Sequence, residues 1–118
     1  MVLCRFAETW AECKQDLRRA DVGEAIIHVP SIAVAELYYA NVKSGKPIDF
    51  IDSYKKLKES DQFVFTSFDA EDVLDFDKDS TITEMHDRII VGVARRLNVP
   101  LLTVERIITA SGLVEIIW

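Results

Sequence analysis

The residues from Ala25 to Gly45 decide the fold class, and they read Ala-Ile-Ile-His-Val-Pro-Ser-Ile-Ala-Val-Ala-Glu-Leu-Tyr-Tyr-Ala-Asn-Val-Lys-Ser-Gly. The first part, Ala25–Val29, is short, apolar and rich in β-branched side chains, which predicts a buried strand. Pro30 stops this strand, and Ser31 is a favourable N-cap for a helix that ends at Gly45. A buried strand that leads directly into a helix is typical of α/β proteins.

The same alternation of helices and short apolar strands continues on both sides of this stretch. Before it, the spacing of apolar residues predicts an amphipathic helix over about Ala7–Ala20. After it, the pattern predicts a polar helix that opens at Pro47, a strand at Phe63–Phe65, a short helix capped by Asp69 and a loop over Asp77–Ser80. A long helix capped by Thr83 then runs through Leu97. The remaining predicted elements are a strand at Val99–Val104, a helical turn near Ile107–Ser111 and a last strand at Val114–Trp118. We therefore expect βαβ units, a mainly parallel sheet with helices on both faces, and ligands bound beyond the carboxyl ends of the strands.

Composition places the chain among ordinary globular proteins. Its 118 residues suit one domain, 1–118, and 49% hydrophobic with 29% charged residues exclude disorder as the default. The net charge of −6 argues against binding nucleic acid through a basic surface alone, but it does not exclude a nuclease that meets phosphate through a metal ion. Cys4 and Cys13 lack metal-ligand spacing, and no stretch of about 18 apolar residues is present. We expect a cytoplasmic protein in a reducing compartment, with no membrane partner.

Three carboxylates stand where the predicted pattern places an inward-facing side chain. Glu36 has apolar neighbours three and four residues away on its helix, Asp87 opens the apolar stripe of the long helix, and Glu105 directly follows a strand. An inward-facing acid is costly unless it is paired, protonated or bound to a metal. The arginines that can pair with each acid taken singly are Arg88, Arg95 and Arg106. Three acids that converge at one end of a sheet instead favour a site for Mg²⁺ or Mn²⁺, because hard oxygen ligands select these ions.

Two other groups of residues carry weaker signals. The acids at alternate positions in 75–79 open like a calcium-binding EF-hand loop, but that pattern requires Gly where Ser80 stands and Glu where His86 stands. We therefore interpret this run as a solvated acidic loop. His28 lies in a predicted buried strand with no ligand pattern beside it, and neither His28 nor His86 is expected to be a catalytic base.

Four motifs, in this order, resemble those of the PIN-domain family. They are Val29–Leu37 (Val-Pro-Ser-Ile-Ala-Val-Ala-Glu-Leu), His86–Val91 (His-Asp-Arg-Ile-Ile-Val), Leu101–Glu105 (Leu-Leu-Thr-Val-Glu) and Ser111–Val114 (Ser-Gly-Leu-Val), followed by the last residue, Trp118. Each motif alone is modest, whereas four in order, over a likeness that runs from about residue 6 onward, are fairly specific. Within the family, the chain looks most like the VapC-type toxins of prokaryotic toxin–antitoxin pairs.

The resemblance implies a three-layer αβα sandwich with a mainly parallel central sheet and a metal-dependent endoribonuclease activity on RNA. By this likeness the catalytic and metal-binding acids are Glu36, Asp87 and Glu105, Thr103 is a supporting hydroxyl, and the cofactor is Mg²⁺ or Mn²⁺. It also implies a cognate antitoxin protein as partner, and a homodimer. Basic residues are candidates to hold the RNA backbone, although each alone is more often solvated surface or part of an ion pair: Lys43, Lys46, Arg88, Arg95, Arg96 and Arg106.

The sequence departs from the family pattern in two places. Glu105 stands where the family has Asp, which lengthens the side chain by one methylene and keeps its charge. Family members also open with a strand that ends in an Asp-Thr-Asn-like motif, whereas here Arg5 follows the apolar residues Met1–Cys4. Glu8 or Glu12 can replace that Asp in principle, although a solvated helix surface is the commoner role. The domain is thus expected to be N-terminally incomplete, for one of three reasons: a shortened strand, a neighbouring chain that fills the gap, or a truncation, which we favour.

The missing Asp would weaken the activity of a nuclease of this type. Two other functions are alternatives to the nuclease function. One is a non-catalytic PIN-like module that dimerises and binds an antitoxin peptide through the helices that carry Tyr38, Tyr39 and Tyr54, although such aromatics are more often core. The other is a phosphoacceptor receiver domain, which shares the layered fold and an acidic pocket. A receiver requires paired acids after its first strand and a Lys late in the chain, and no Lys follows Lys78. We set this last class aside.

Overall fold

A computed structural model describes residues 2–4, 18–19, 21–103 and 105–117 of the chain. The described strands are β1 (Val2–Cys4), β2 (Ile27–Pro30), β3 (Phe63–Thr66), β4 (Leu101–Leu102) and β5 (Ile116–Ile117). The helices that follow β2 are α1 (Ser31–Lys43), α2 (Phe50–Glu59), a 3-10 helix (Ala70–Asp79), α3 (Met85–Leu97) and α4 (Arg106–Ser111). The predicted helix over Ala7–Ala20 lies almost entirely outside the described residues, among which Arg18, Arg19 and Asp21 are helical.

The strand β1 is the centre of a five-stranded sheet with the order β3-β2-β1-β4-β5, and every pair of neighbouring strands is parallel. Val2 pairs with Ile27 of β2, and Cys4 pairs with Leu102 of β4. The predicted parallel sheet is therefore confirmed. The three residues of β1 form a short strand, which gives the backbone groups of β2 and β4 their hydrogen-bonding partners.

Helices cover both faces of this sheet. The adjacent residues Leu101 and Leu102 mark the two faces, because successive side chains of a strand point in opposite directions. Leu101 belongs to a buried cluster with Ile90 of α3, whereas Leu102 belongs to a second cluster with Val29, against which Val34 of α1 packs. The architecture is the three-layer αβα sandwich that we expected. Within the described ranges, no helix is long and apolar enough to cross a membrane.

The helix starts differ from the predicted ones by a few residues, because carboxylates cap two of them. The side chains of Asp49 and Glu84 each accept the amide N–H three residues later, over 2.9 Å before α2 and 2.8 Å before α3. An acid at this position satisfies a first-turn N–H group and also interacts favourably with the helix dipole. The starts predicted at Pro47 and Thr83 are therefore wrong, and Ser31 is the first residue of α1 rather than its N-cap.

The acidic run at 75–79 is not the solvated loop that its composition predicts. Asp79 ends the 3-10 helix with a fully buried side chain, while Asp75 and Asp77 are exposed. The guanidinium of Arg95 donates two hydrogen bonds to the Asp79 carboxylate, from Nη1 to Oδ1 and, over 2.7 Å, from Nη2 to Oδ2. This pairing raises the pKa of Arg95 above its ordinary value. The prediction is wrong for Asp79 because its partner lies 16 residues away and on another helix.

The buried imidazole of His28 makes the stability of the fold depend on pH. His28 is 8% exposed, and its Nδ1 lies 3.2 Å from Thr66 Oγ1. Burial lowers the pKa of His28 below the ordinary value of about 6.5. Because the unfolded chain then takes up a proton first, the stabilisation is complete above about pH 6.5 and is lost as the pH falls towards the folded-state pKa. We expect the free energy of unfolding, measured by urea titration, to decline from about pH 7.5 to about pH 5.5 and to decline less in His28→Gln.

The second histidine provides the control for this measurement. The side chain of His86 is 44% exposed and lies near the Glu84 carboxylate. His86→Gln is therefore expected to keep the decline attributed to His28. An identical pH dependence in wild type and in His28→Gln would contradict the prediction.

Candidate functional site

Asp87 is the most deeply buried of the three predicted acids. It lies in the first turn of α3, is 5% exposed, and its amide N–H donates to Glu84 Oε2 over 2.8 Å. The helix α3 leads into the amino end of β4, so its own N-terminus faces the carboxyl edge of the parallel sheet. A carboxylate in this first turn also gains from the partial positive charge of the helix N-terminus.

Glu36 lies in the second turn of α1, which begins directly at the end of β2. Ala33, three residues earlier, is fully buried, and Ile32, four residues earlier, packs against the cluster that contains Ile90 of α3. Side chains three and four residues apart share a helix face, so half-buried Glu36 lies on the side of α1 that faces α3. The two helices are in contact, which makes Glu36 and Asp87 residues of neighbouring elements.

Glu105 ends the short turn that follows β4 and serves as the N-cap residue of α4. Its amide N–H donates to Thr103 Oγ1 over 3.1 Å, and Thr103 itself is 1% exposed. Its carbonyl oxygen accepts from the amide N–H of Thr109 over 3.0 Å and from Thr109 Oγ1 over 3.1 Å. Hydrogen bonds on both sides therefore fix the backbone that presents the half-buried Glu105 side chain.

The three acids are thus brought to one edge of the sheet. Glu36 follows β2 and Glu105 follows β4, which are the two strands that flank β1, and Asp87 opens the helix packed beside α1. However, among residues 2–4, 18–19, 21–103 and 105–117, no three Asp, Glu, His or Cys side chains are close enough to hold one metal ion. The carboxylates have the hard oxygen donors that Mg²⁺ prefers, but the described residues do not by themselves form a metal centre.

The residue that directly follows the central strand is positively charged, whereas the family pattern has a negatively charged Asp at this position. Arg5 follows Cys4 directly, and the first acid of the sequence is Glu8. Arg5, Glu8 and Glu12 all lie outside the described residues, so the two glutamates remain predicted substitutes for the missing acid. A basic residue in place of an acid removes negative charge that a divalent cation at this edge would use.

Several of the predicted RNA-binding arginines are used within the chain. Arg88 donates to the carbonyl oxygens of Ile82 and Ser80, the latter over 3.3 Å, and so ties α3 to the turn before it. Arg95 and Arg96 both bind aspartates of the 3-10 helix. Among the residues that the structure describes, the candidates Lys43, Lys46 and Arg106 are exposed, and so is Arg96 despite its bonds to the 3-10 helix.

Sequence reasoning missed two features that shape this region. Glu84 caps α3 at Asp87, and the buried pair of Asp79 and Arg95 joins the 3-10 helix to α3. A signal for Arg95 was present, because it lies four residues after Val91, which is fully buried, and therefore near the inward stripe of its helix. Glu84 had the weaker signal of an acid directly before an apolar helix.

A second candidate surface is apolar rather than acidic. Tyr54, one of the three tyrosines on the helices considered for antitoxin binding, is half-buried, with its ring centroid 4.9 Å from that of Phe65. The other two lie on an exposed surface, here called the α1–α2 face, made of Tyr38, Tyr39, Val42, Ile48 and Ile51. Tyr39 is 66% and Ile51 is 65% exposed, so both leave apolar surface in contact with solvent.

Comparisons with known proteins support the fold. No family model matches the chain, and no curated protein matches it significantly. Among solved structures, it is similar to one described as VapBC2 from Rickettsia felis bound to a DNA fragment from their promoter. The TM-score is 0.69, the sequence identity is 16%, and the alignment covers 99% of this chain and 98% of that chain. At this identity the likeness shows a shared fold, which is the fold that the resemblance to VapC-type toxins implies.

Proposed function

We propose that the chain is a VapC-like PIN domain whose acidic edge hydrolyses RNA phosphodiester bonds with Mg²⁺ or Mn²⁺. The observation that carries the proposal is the burial of Asp87 at the N-terminus of α3, next to the helix that presents Glu36 and at the same edge as Glu105. Carboxylates collected at one edge repel one another, and a divalent cation is the simplest partner that offsets this repulsion.

Each residue of the edge has a defined role in this proposal. Glu36, Asp87 and Glu105 would supply carboxylate ligands to the metal ion, with at least one further ligand from outside the described residues, which alone form no metal centre. Thr103 keeps the turn that presents Glu105 in place through its 3.1 Å hydrogen bond. When bound, the metal ion supplies positive charge opposite the phosphate and lowers the pKa of a water molecule. Lys43 and Arg106, both exposed, provide charge for the RNA backbone outside the edge itself. The metal ion at the acidic edge and the basic residues outside it together explain how a chain with a net charge of −6 can bind an anionic substrate.

The direct test is cleavage of a mixture of structured RNAs by the purified chain. We expect slow cleavage with Mg²⁺ or Mn²⁺ and none with EDTA, because the departure at position 5 weakens the site. Thermal unfolding of the same preparation shows whether the protein is folded. A folded chain that does not cleave RNA with either metal would contradict the enzymatic function and leave the binding function described below.

Restoring the acid of the family pattern is expected to strengthen metal binding. In Arg5→Asp a negative charge replaces a positive one directly after the central strand, so the affinity for Mn²⁺ should rise about tenfold or more. Isothermal titration with Mn²⁺ measures the change, and RNA cleavage should increase with it. Arg5→Asn, which removes the positive charge without adding a ligand charge, should give a smaller gain. Equal Mn²⁺ affinities in wild type and Arg5→Asp would show that position 5 does not contribute to a metal site.

The α1–α2 face favours a second function, the binding of an antitoxin protein by a homodimer of this chain. Tyr39 and Ile51 belong to a group of exposed apolar side chains on two helices that meet at Tyr38, whose ring centroid lies 5.5 Å from those of Tyr39 and Phe50. Co-purification with co-expressed candidate antitoxins tests this function. Tyr39→Lys and Ile51→Lys should each weaken a complex about tenfold, whereas Leu74→Lys, at a residue that is 82% exposed on the 3-10 helix, should not. Equal loss in all three variants would exclude the face as the binding surface.

A further inference from the structure

We propose that a cavity between the 3-10 helix and α3 binds a single nucleobase. The cavity has a volume of about 200 Å³ and is lined by residues of both helices and by Phe68, which precedes the 3-10 helix. Pockets for cofactors and drug-sized ligands span about 300–1,000 Å³. The volume therefore admits one flat ring system rather than a complete nucleotide.

One wall of the cavity is aromatic. The rings of Phe68 and Phe76 have centroids 6.0 Å apart and planes inclined by 21°, and both side chains are half-buried. This spacing leaves no room for a third ring between them, so a base packs against one of the two. Single-stranded RNA is commonly recognised by unstacked bases that lie on Phe rings or on guanidinium planes.

The charged groups of the cavity favour a base over a phosphate. Arg95 is held by buried Asp79, and Arg96 donates to Asp72 and to the carbonyl oxygen of Ser67, each over 2.8 Å. Because each guanidinium is already paired with a carboxylate, the cavity offers little net positive charge to an anion. The pairing also fixes the guanidinium groups in place, which suits contact with a flat ring.

Two exposed residues that line the cavity carry groups that can form hydrogen bonds with the edge of a base. Asp75 and Lys78 are exposed there and form an ion pair over 2.8 Å. Their carboxylate and ammonium groups are an acceptor and a donor of the kind that pairs with the amino and carbonyl groups of bases.

Gly92 keeps the cavity open. It lies in the middle of α3, where Gly is unfavourable for helix formation. A Cβ at this position would lie 3.9 Å from Asp79 Oδ2, which is an ordinary contact, so packing does not require Gly here. A larger side chain at Gly92 would instead occupy the cavity that this residue lines.

Binding can be measured without any cleavage. The full chain, in EDTA, is titrated with the four nucleoside 5′-monophosphates and with a short single-stranded RNA, and the amide NMR signals of Phe76 and Gly92 are followed. We expect saturable shifts of these signals that weaken at least tenfold in Gly92→Leu and are retained in Gly92→Ala. If Gly92→Leu does not fold, Phe76→Leu removes the ring while keeping an apolar side chain and should weaken binding to a similar extent.

The possible outcomes distinguish failure of this proposal from failure of the proposed function. Only the assumption that the base belongs to an RNA strand rests on the proposed function. Shifts with RNA and monophosphates indicate a base of an RNA strand, and shifts with monophosphates alone indicate a free nucleotide. Base binding without metal-dependent cleavage would overturn only the nuclease. The absence of saturable shifts with every probe, or equal affinities in wild type and Gly92→Leu, would overturn the nucleobase site.

Discussion

Replacing Arg95 with Met is expected to lower the free energy of unfolding by about 3–5 kcal/mol, because it leaves a buried carboxylate without its partner. Asp79 is fully buried and receives two hydrogen bonds from Arg95, whose side chain is 30% exposed. Asp79→Asn should cost less, since the partly exposed guanidinium that remains can turn towards water. Urea unfolding of each variant at neutral pH gives the two values.

The neighbouring arginine provides a matched control for this experiment. Arg96 also binds an aspartate of the 3-10 helix, but its side chain is 38% exposed and that of Asp72 is 17% exposed. Arg96→Met should therefore cost about 1 kcal/mol or less. Equal losses in Arg95→Met and Arg96→Met would show that burial of Asp79 does not determine the stability of this region.

Replacing Asp87 with Asn is expected to reduce metal-dependent RNA cleavage by more than about a hundredfold, because Asn keeps the size of the side chain and removes its charge. Asp87 is 5% exposed at the edge where Glu36 and Glu105 also lie, so its charge acts in a partly desolvated setting. Initial rates of cleavage with Mg²⁺ and Mn²⁺ measure the effect, and titration with Mn²⁺ shows whether metal affinity falls with it.

A variant outside the acidic edge controls for the change of an acid to its amide. Asp52 lies on α2, where it pairs with Lys56 over 2.7 Å, and its side chain is 55% exposed. Asp52→Asn should leave cleavage within about twofold of wild type, since surface pairs contribute little. If Asp87→Asn cleaves RNA as fast as Asp52→Asn, Asp87 is not a residue of the catalytic site.

The candidate site shows which residues could be predicted from the local sequence pattern and which could not. Glu36 and Asp87 could be selected because acids interrupted apolar stripes of period 3.6, and Glu105 because it follows a strand directly. The same reasoning failed for Asp79, because nothing near it in the sequence indicates a partner on another helix. It also left open whether Tyr54 belongs to a binding face or to the interior, because its place against Phe65 depends on how α2 packs on β3. Local periodicity predicts which way a side chain faces, but it does not predict which residue contacts that side chain.

By itself, the sequence determined the elements that depend on short-range chemistry. The apolar, β-branched runs predicted the strands β2 to β5, the helical spacing predicted α1 and α3, and together they implied a parallel sheet covered on both faces. These properties follow from backbone and side-chain preferences of neighbouring residues.

Only the tertiary structure decided what depends on contacts between distant residues. The three residues Val2–Cys4 are too short to be recognised as a strand by pattern, yet they form the centre of the sheet because β2 and β4 supply hydrogen-bonding partners on both sides. The buried carboxylate of Asp79 is stabilised by its ion pair with Arg95. The cavity that Gly92 lines lies between the 3-10 helix and α3, which are in contact with each other. In each case the deciding energy comes from a pairing across the fold, which no local stretch of sequence contains.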